Sequence, residues 1–491
     1  MHDSDSSVSH SLSSKTRHLS YPLNDAKPET ARDLTALSAL IWKVQTLNVN
    51  VASLRYRCLL PLRYLSKATA KSGVKQVIVG GADPVNQALE NATVIFVKSF
   101  HDHDVETCQR VYQSGASVIL DLCDNIFIAE YAAGNNEYVP ADNFKRMAPF
   151  AAAIVTTGEA LKAEVKQAIA PLNLTIPIVV IPDASETLAD IDETFRATRV
   201  QRLVSLRIRP IARRAQAIYG KTVWAIKTVL RPAVRQVKDS LQIPRDQTDE
   251  NDRLVKEKAI ALLSGRWVEA LPIEQQQSIA TKRQKKSKQR NQVVVQPTPW
   301  MPQKWPSAPA DVRTILWFGN HGAKYGSFGM ESILEVAPAI EELSHELPLR
   351  LVVVSNSQSK YERYIQPLPF ETSYLRWHPR AIYRYIRASD VTIIPNSQSA
   401  YSICKSANRA VLSLSQGTPV VASRTPALAL FEGCVALDDW ELGLRQYLLQ
   451  TQIAEQHIAQ AKQAIAQNLS GEKIAQQWID LLETISLSKR A

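Results

Sequence analysis

The stretch "ATVIFVKSFHDHDVETCQRVYQSGASVILDL", residues 92–122, decides the fold class. It opens on ATVIFV and closes on ASVILDL, short apolar runs rich in β-branched residues. Such runs read as strands buried on both faces. Between them ETCQRVYQSG has helical spacing and stops at Gly115, a residue suited to a helix C-cap. A strand, a helix and a second strand in about thirty residues make a crossover unit whose strands lie parallel.

The same rhythm extends both ways. IWKVQTLNV and QVIVG precede the stretch, and AAIVTT and IPIVVIP follow it. A second set begins near residue 311: VRTILWFGN, LRLVVVS, VTIIPN and TPVVAS read as buried strands, with MESILEVAPAIEELSHE and ANRAVLSLSQG as helices between them. The expected organisation is α/β, with two doubly wound, Rossmann-like domains over 39–185 and 311–491. The second ends in the amphipathic helix EKIAQQWIDLLETI. A polar, disordered tail is expected over 1–38, and a basic helical insertion with a proline-rich linker over 186–310. Two facing sheets of this kind open their carboxyl ends on a common cleft, the usual place for a ligand.

With 491 residues, 45% of them apolar, the chain is globular and too long for one core. The five cysteines, Cys58, Cys108, Cys123, Cys404 and Cys434, are scattered and show no CxxC spacing, which argues against a disulfide framework or a zinc site. The N-terminal MHDSDSSVSHSLSSKTRH lacks the apolar core of a secretory signal, and no run of about 18 apolar residues occurs. A cytoplasmic protein is expected.

The net charge of +11 is concentrated. Residues 195–239 carry twelve Lys or Arg against one Asp, and KRQKKSKQR at 282–290 adds six more basic residues, so the remainder is mildly acidic. Val200, Val204, Ile208 and Ile211 fall on one helical face and Arg199, Arg202, Arg209 and Arg213 on another. This pattern suits the surface of an anionic membrane and a peripheral location at its inner face. A helical subdomain packed on the body is the alternative. Nucleic acid is not an expected partner, because the basic run carries no known binding motif.

Candidate site residues follow the strands. WFGNHGAKYGSFGMESIL carries Gly319 and Gly322 between a strand and a helix, where backbone N–H groups can approach anionic oxygens. CKSANRAVLSLSQGTPVVAS, residues 404–423, puts Lys405, Ser406, Asn408 and Arg409 at an expected helix start near Lys405, a cradle for a diphosphate. In the first domain Ser53, Arg55 and Arg57 follow the first strand, where arginines can hold an acceptor's anionic or hydroxyl groups. Lys98 and His101 follow the strand ATVIFV, and Asp121, Asp124 and Asn125 end the next, where a carboxylate can orient hydroxyls or act as a base. His101 and His103 form an HxH pair without further ligands at metal spacing, so no metal is expected.

In this order the motifs resemble the GT-B glycosyltransferases, in particular the group 1, family 4-like enzymes. Ser53, Arg55 and Arg57 match the S-x-R-x-R turn of the first domain. Lys98, Gly115, Asp121, Asp124 and Asn125 match a second stretch, and Trp317 and Gly319 the opening of the second domain. Asp390, Pro395, Lys405, Ser406, Asn408, Arg409, Gly417, Pro419 and Val420 match the signature that follows.

The resemblance implies transfer of a sugar from a nucleotide-sugar donor to a glycan, lipid or small acceptor, without metal and with no cofactor beyond the donor. It implies Lys405, His101 and Asp124 as catalytic residues. Gly319, Gly322, Trp377, Ser406, Asn408 and Arg409 would bind the donor, with the aromatic residues of RWHPRAIYRYI, Trp377 and Tyr383, near the base. Ser53, Arg55, Arg57, Lys98, Asp121 and Asn125 would bind the acceptor, a glycan or lipid-linked molecule. One departure stands out: where such enzymes carry a pair of glutamates with seven residues between them, this chain has Cys404 and Leu412. A non-catalytic nucleotide-sugar-binding or scaffolding relative, and a sugar-nucleotide epimerase, are the other readings.

Overall fold

In the computed structural model, ATVIFV forms strand β3, Ala92–Val97, and SVILDL forms β4, Ser117–Leu122, with the helix Asp102–Gln113 between them. The two strands pair in parallel, Ile95 opposite Ile119. The structure describes residues 37–68, 74–81, 85, 89–128, 140–195, 302–322 and 328–488.

The first sheet also contains β1, Ala39–Val44, β2, Lys75–Gly80, β5, Ala153–Thr156, and β6, Ile178–Val180. Its order is β2-β1-β3-β4-β5-β6, every neighbour parallel. The second sheet contains β7, Arg313–Phe318, β8, Leu349–Ser355, β9, Glu371–Arg376, β10, Val391–Ile394, β11, Val420–Ala422, and β12, Ala436–Leu437, in the order β12-β11-β10-β7-β8-β9. Both are doubly wound. Strand order reverses between β1 and β3 in one sheet and between β7 and β10 in the other, and at such a reversal the flanking loops part to leave a crevice.

Both sheets are apolar on each face. Trp42, Ile95, Ile119 and Val155 face one core of the first sheet, and Ile41, Val94, Phe96 and Leu120 the other. The closing helix, Gly471–Ser488, follows the second sheet in the chain but packs on the first. Its Trp478 is fully buried and meets Trp42 edge to face at 5.4 Å, and Ile474, Leu482 and Ile485 join the same core. Sequence reading grouped this helix with the second domain; its apolar stripe instead finds its partner surface on the helix Leu60–Ala68.

The expected tail over 1–38 and basic helical insertion over 186–310 lie outside the described residues, apart from 37–38 and the two ends of the insertion. Residues 188–195 are helical, and Leu188 and Ile191 pack into a second-half core with Trp377 and Tyr385. Trp305 returns to that same core, stacked on Tyr385 at 5.6 Å. Among the described residues no helix is long and apolar enough to cross a membrane.

Candidate active site

A cleft of about 690 Å³ opens between the carboxyl ends of the two sheets. Its wall on the second half comes from the loop after β7 (Gly319, Asn320, Gly322), from Asn356 after β8, Asn396 after β10 and Trp377, and from Lys405 through Ala410. Its wall on the first half is Asn50, Val51, Ala52, Arg55 and Tyr56, with Glu186.

The glycine loop closes on itself. Gly322 and Gly329 have φ of 92° and 84°, the left-handed region that a Cβ disfavours. A Cβ on Gly322 would lie 2.1 Å from the Phe328 carbonyl oxygen, and one on Gly329 would lie 2.5 Å from the Gly322 nitrogen. Asn320 Oδ1 accepts from Gly322 N–H at 3.2 Å, and the Phe328 ring packs on Tyr401 at 4.9 Å.

The helix expected near Lys405 begins instead at Asn408 and runs to Ser415. Its N-cap is Ala407, which has no capping side chain, so the N–H groups of its first turn are left open toward the cleft. Ser406, just ahead, lines the cleft and does not cap the helix. The Arg409 side chain reaches from this turn to Asn396, donating to Oδ1 at 2.7 Å, and lies against Gly319. Among the described residues no carboxylate pairs with it, and burial alone lowers its pKa to about 10. It remains charged at neutral pH, a half-buried cation with no counter-ion among the described residues.

Lys405 also lines the cleft, but it is not a solvated lysine. It donates to Asp124 Oδ1 and, at 2.8 Å, to the Tyr401 hydroxyl, and its ammonium sits 3.9 Å from the centre of the Tyr401 ring. Asp124 takes Lys98 on its other oxygen. Burial pushes the Asp124 carboxyl up, but the two ammonium groups outweigh it and hold the carboxyl well below the usual range. Burial likewise lowers Lys405, and Asp124 more than restores it, so its pKa lies above the ordinary value.

The basic residues proposed for the acceptor side are occupied internally. Arg57 is buried; Nε and Nη2 donate to Asp121 at 3.1 and 2.6 Å, and Nη1 to Ile181 O and Asp183 at 2.7 and 3.2 Å. Arg57 and Asp121 thus form a buried fork that does not line the cleft, and a π-turn over Arg55–Leu59 is what turns it inward. Arg55 does line the cleft, with its Nε held by Glu186 at 2.8 Å. Ser53 is half-buried on the short helix Ala52–Leu54, away from the cleft.

Asn125 is buried and donates to Glu164 at 3.0 Å and to the Ala400 carbonyl at 3.1 Å, which ties the halves together. The side chain of Asn408, a proposed donor ligand, donates to Asp183 of the first half at 2.6 Å. His101 opens the helix Asp102–Gln113 and stacks on His103 at 5.2 Å; neither it nor Asp124 lines the cleft. Tyr383, 1% exposed with its hydroxyl on the Glu186 carbonyl, and the half-buried Trp377 both line the cleft. Leu412 lines the cleft, and Cys404 is buried beneath it in the first-half core. No group of three or more His, Cys, Asp or Glu among the described residues is placed to hold a metal ion.

Sequence reasoning missed Asn50, Glu186, Asn320, Asn356 and Asn396. A signal for three of them was available: each of Asn320, Asn356 and Asn396 stands within two residues of the end of a strand of the second sheet.

No protein-family model matches the chain, and no curated protein matches it in sequence. It is similar in structure to Anabaena HepE in complex with UDP and glucose, with 10% identity and a TM-score of 0.46 over 90% of this chain and 99% of that one. It is similar to a glycosyltransferase from Rickettsia africae with 10% identity and a TM-score of 0.46, over 91% and 98%. It is also similar to the sucrose-phosphate synthase of Thermosynechococcus elongatus with 12% identity and a TM-score of 0.46, over 92% and 100%. At these identities and scores the likeness assigns no activity. The strand orders themselves define two Rossmann-like domains facing a cleft, which is the GT-B architecture.

Proposed function

We propose that the chain is a glycosyltransferase whose second half binds the diphosphate of a nucleotide sugar and whose first half binds the acceptor. The observation that carries this reading is Arg409, a half-buried guanidinium on the cleft wall with no carboxylate partner among the described residues. A partly desolvated charge without a partner is costly, and a diphosphate beside the open first turn of the helix would neutralise it. Lys405 lies within the same wall.

In transfer, an acceptor oxygen forms the new bond to the anomeric carbon. The electron pair of the broken bond leaves on the diphosphate, and the acceptor's proton passes to water in the cleft. Arg409, Lys405 and the helix N–H groups stabilise the charge that develops on the leaving group. His101 and Asp124 stand off the cleft wall, so neither is assigned the role of base here.

Replacing Arg409 with Gln is expected to weaken binding of UDP, GDP or ADP, whichever binds the parent, by about 10- to 100-fold, the value of one charge-assisted contact. Stability should hold, because the half-buried Arg409 has no carboxylate partner among the described residues to lose. Unchanged nucleoside-diphosphate affinity by calorimetry would remove the reading's main support.

A second reading, a nucleotide-sugar binder without turnover, draws on Leu412 and Cys404, which bring no carboxylate to the cleft. Release of nucleoside diphosphate that depends on acceptor separates the two. From charge alone, we further assign 195–239 to an anionic membrane surface, which would make the protein peripheral at the inner face.

A further inference from the structure

We propose that Asn396 is a positioning residue for Arg409, holding the guanidinium at the cleft with a neutral amide so that its charge stays free for a diphosphate. The inference rests on the glycosyltransferase reading of the cleft and concerns how the main residue of that reading is held.

Asn396 stands two residues after β10, half-buried, and lines the cleft. Its backbone N–H donates to Ser423 Oγ at 2.9 Å, and the Ser423 N–H donates to the Ile394 carbonyl at 3.2 Å. The residue is thereby fixed between the ends of β10 and β11. Its side chain is oriented as well. A guanidinium only donates, so the atom that Arg409 Nη2 meets at 2.7 Å is the amide oxygen. Among the described residues this is the one hydrogen bond the Arg409 side chain makes, and its other N–H groups are left for a ligand.

The choice of an amide matters. A carboxylate at this position would make the same contact but pair with the guanidinium, and a paired arginine has little attraction left for an anion. The neighbouring strand ends carry amides too. Asn320 after β7 and Asn356 after β8 line the cleft, and each turns its Oδ1 to a backbone N–H, that of Gly322 at 3.2 Å and that of His321 at 3.1 Å. Among the described residues the cleft has one acidic side chain, Glu186, and Arg55 holds it at 2.8 Å. The second-half wall therefore sets Arg409 beside the open first turn of its helix with no carboxylate of its own.

The test is a double-variant cycle on the full chain, read by calorimetry with UDP, GDP or ADP, whichever binds the parent. Asn396→Ala is expected to weaken binding about tenfold in the parent and to cause no further loss in Arg409→Gln, because Asn396 acts through Arg409. Asn396→Asp is expected to weaken binding about 100-fold while melting no lower than the parent, since the new carboxylate pairs with the guanidinium. Full affinity in Asn396→Ala overturns the proposal, as does an equal loss in both backgrounds, which would give Asn396 a role independent of Arg409. A loss in Asn396→Asp that is no greater than in Asn396→Ala, or that comes with a lower melting temperature, does the same. If one of the two variants does not fold, the other decides alone. If Arg409→Gln binds as tightly as the parent, the glycosyltransferase reading loses its support and this inference falls with it, whereas failure of the Asn396 variants alone leaves that reading standing.

Discussion

Asp124 accepts from two ammonium groups at once, Lys98 of its own half and Lys405 of the other. Its native pKa is depressed below the ordinary 3.8, so the stability it contributes is present above that value and lost as pH falls through the native one. Lys405, raised above its ordinary 10.5, keeps its share until pH rises past that value, so the tie is intact from about pH 5 to about pH 10. Asp124→Asn leaves two lysines facing each other and should cost about 3 kcal/mol at neutral pH. By denaturant unfolding the gap to the parent should be equal at pH 7 and pH 5 and about 1 kcal/mol smaller at pH 3. A gap that does not change across this range would show that Asp124 acts by packing and not by charge. None of this pairing was legible in the sequence, where Lys405 reads as an exposed lysine at a helix start. Partners 281 residues apart meet only because two sheets face each other.

At the scale of elements every strand of the first sheet was legible, and in the second sheet the two edge strands, β9 and β12, were not. β3, β4, β8 and β10 are mostly apolar and buried along their whole length. β9, with the sequence ETSYLR, lies at a sheet edge, half exposed, and β12 has two residues, so neither leaves a run to read. The glycine loop was visible as composition, but only the geometry shows which glycines it needs. Gly319 has no positive φ, and a Cβ there meets Arg409 and Trp317 at 3.4 Å, a contact that small shifts relieve. Gly322 combines a positive φ with a backbone clash. Gly319→Ala should therefore change stability by about 0.5 kcal/mol or less, and Gly322→Ala should cost about 2–3 kcal/mol. The nucleoside-diphosphate affinity should fall further in Gly322→Ala. Equal unfolding midpoints for the two variants would mean that the loop does not hold this conformation in solution.

At the scale of the whole molecule the halves are joined across the cleft by Lys405 with Asp124, Asn408 with Asp183, Asn125 with Ala400, and Tyr383 with Glu186, while the closing helix returns to the first sheet. Apart from Glu186, the first residue of the insertion, these ties use residues on either side of it. Leu188 and Ile191 on one side and Trp305 on the other pack into a single core, so the chain leaves and re-enters the body at one place. Replacing residues 200–298 with a flexible Gly/Ser linker of about 12 residues, with a reach of roughly 20 Å, should leave the body folded. The shortened protein is expected to melt close to the parent and to bind nucleoside diphosphate with the same affinity, since no residue of the cleft wall is removed. Vesicle binding should separate from both. The parent should cosediment with vesicles containing anionic lipid, less so as salt is raised, and the shortened protein should stay in the supernatant. Equal cosedimentation of the two proteins would place the membrane contact elsewhere on the body. Loss of nucleotide affinity in a shortened protein that still folds would show that the insertion completes the cleft and does not merely carry a surface-binding charge.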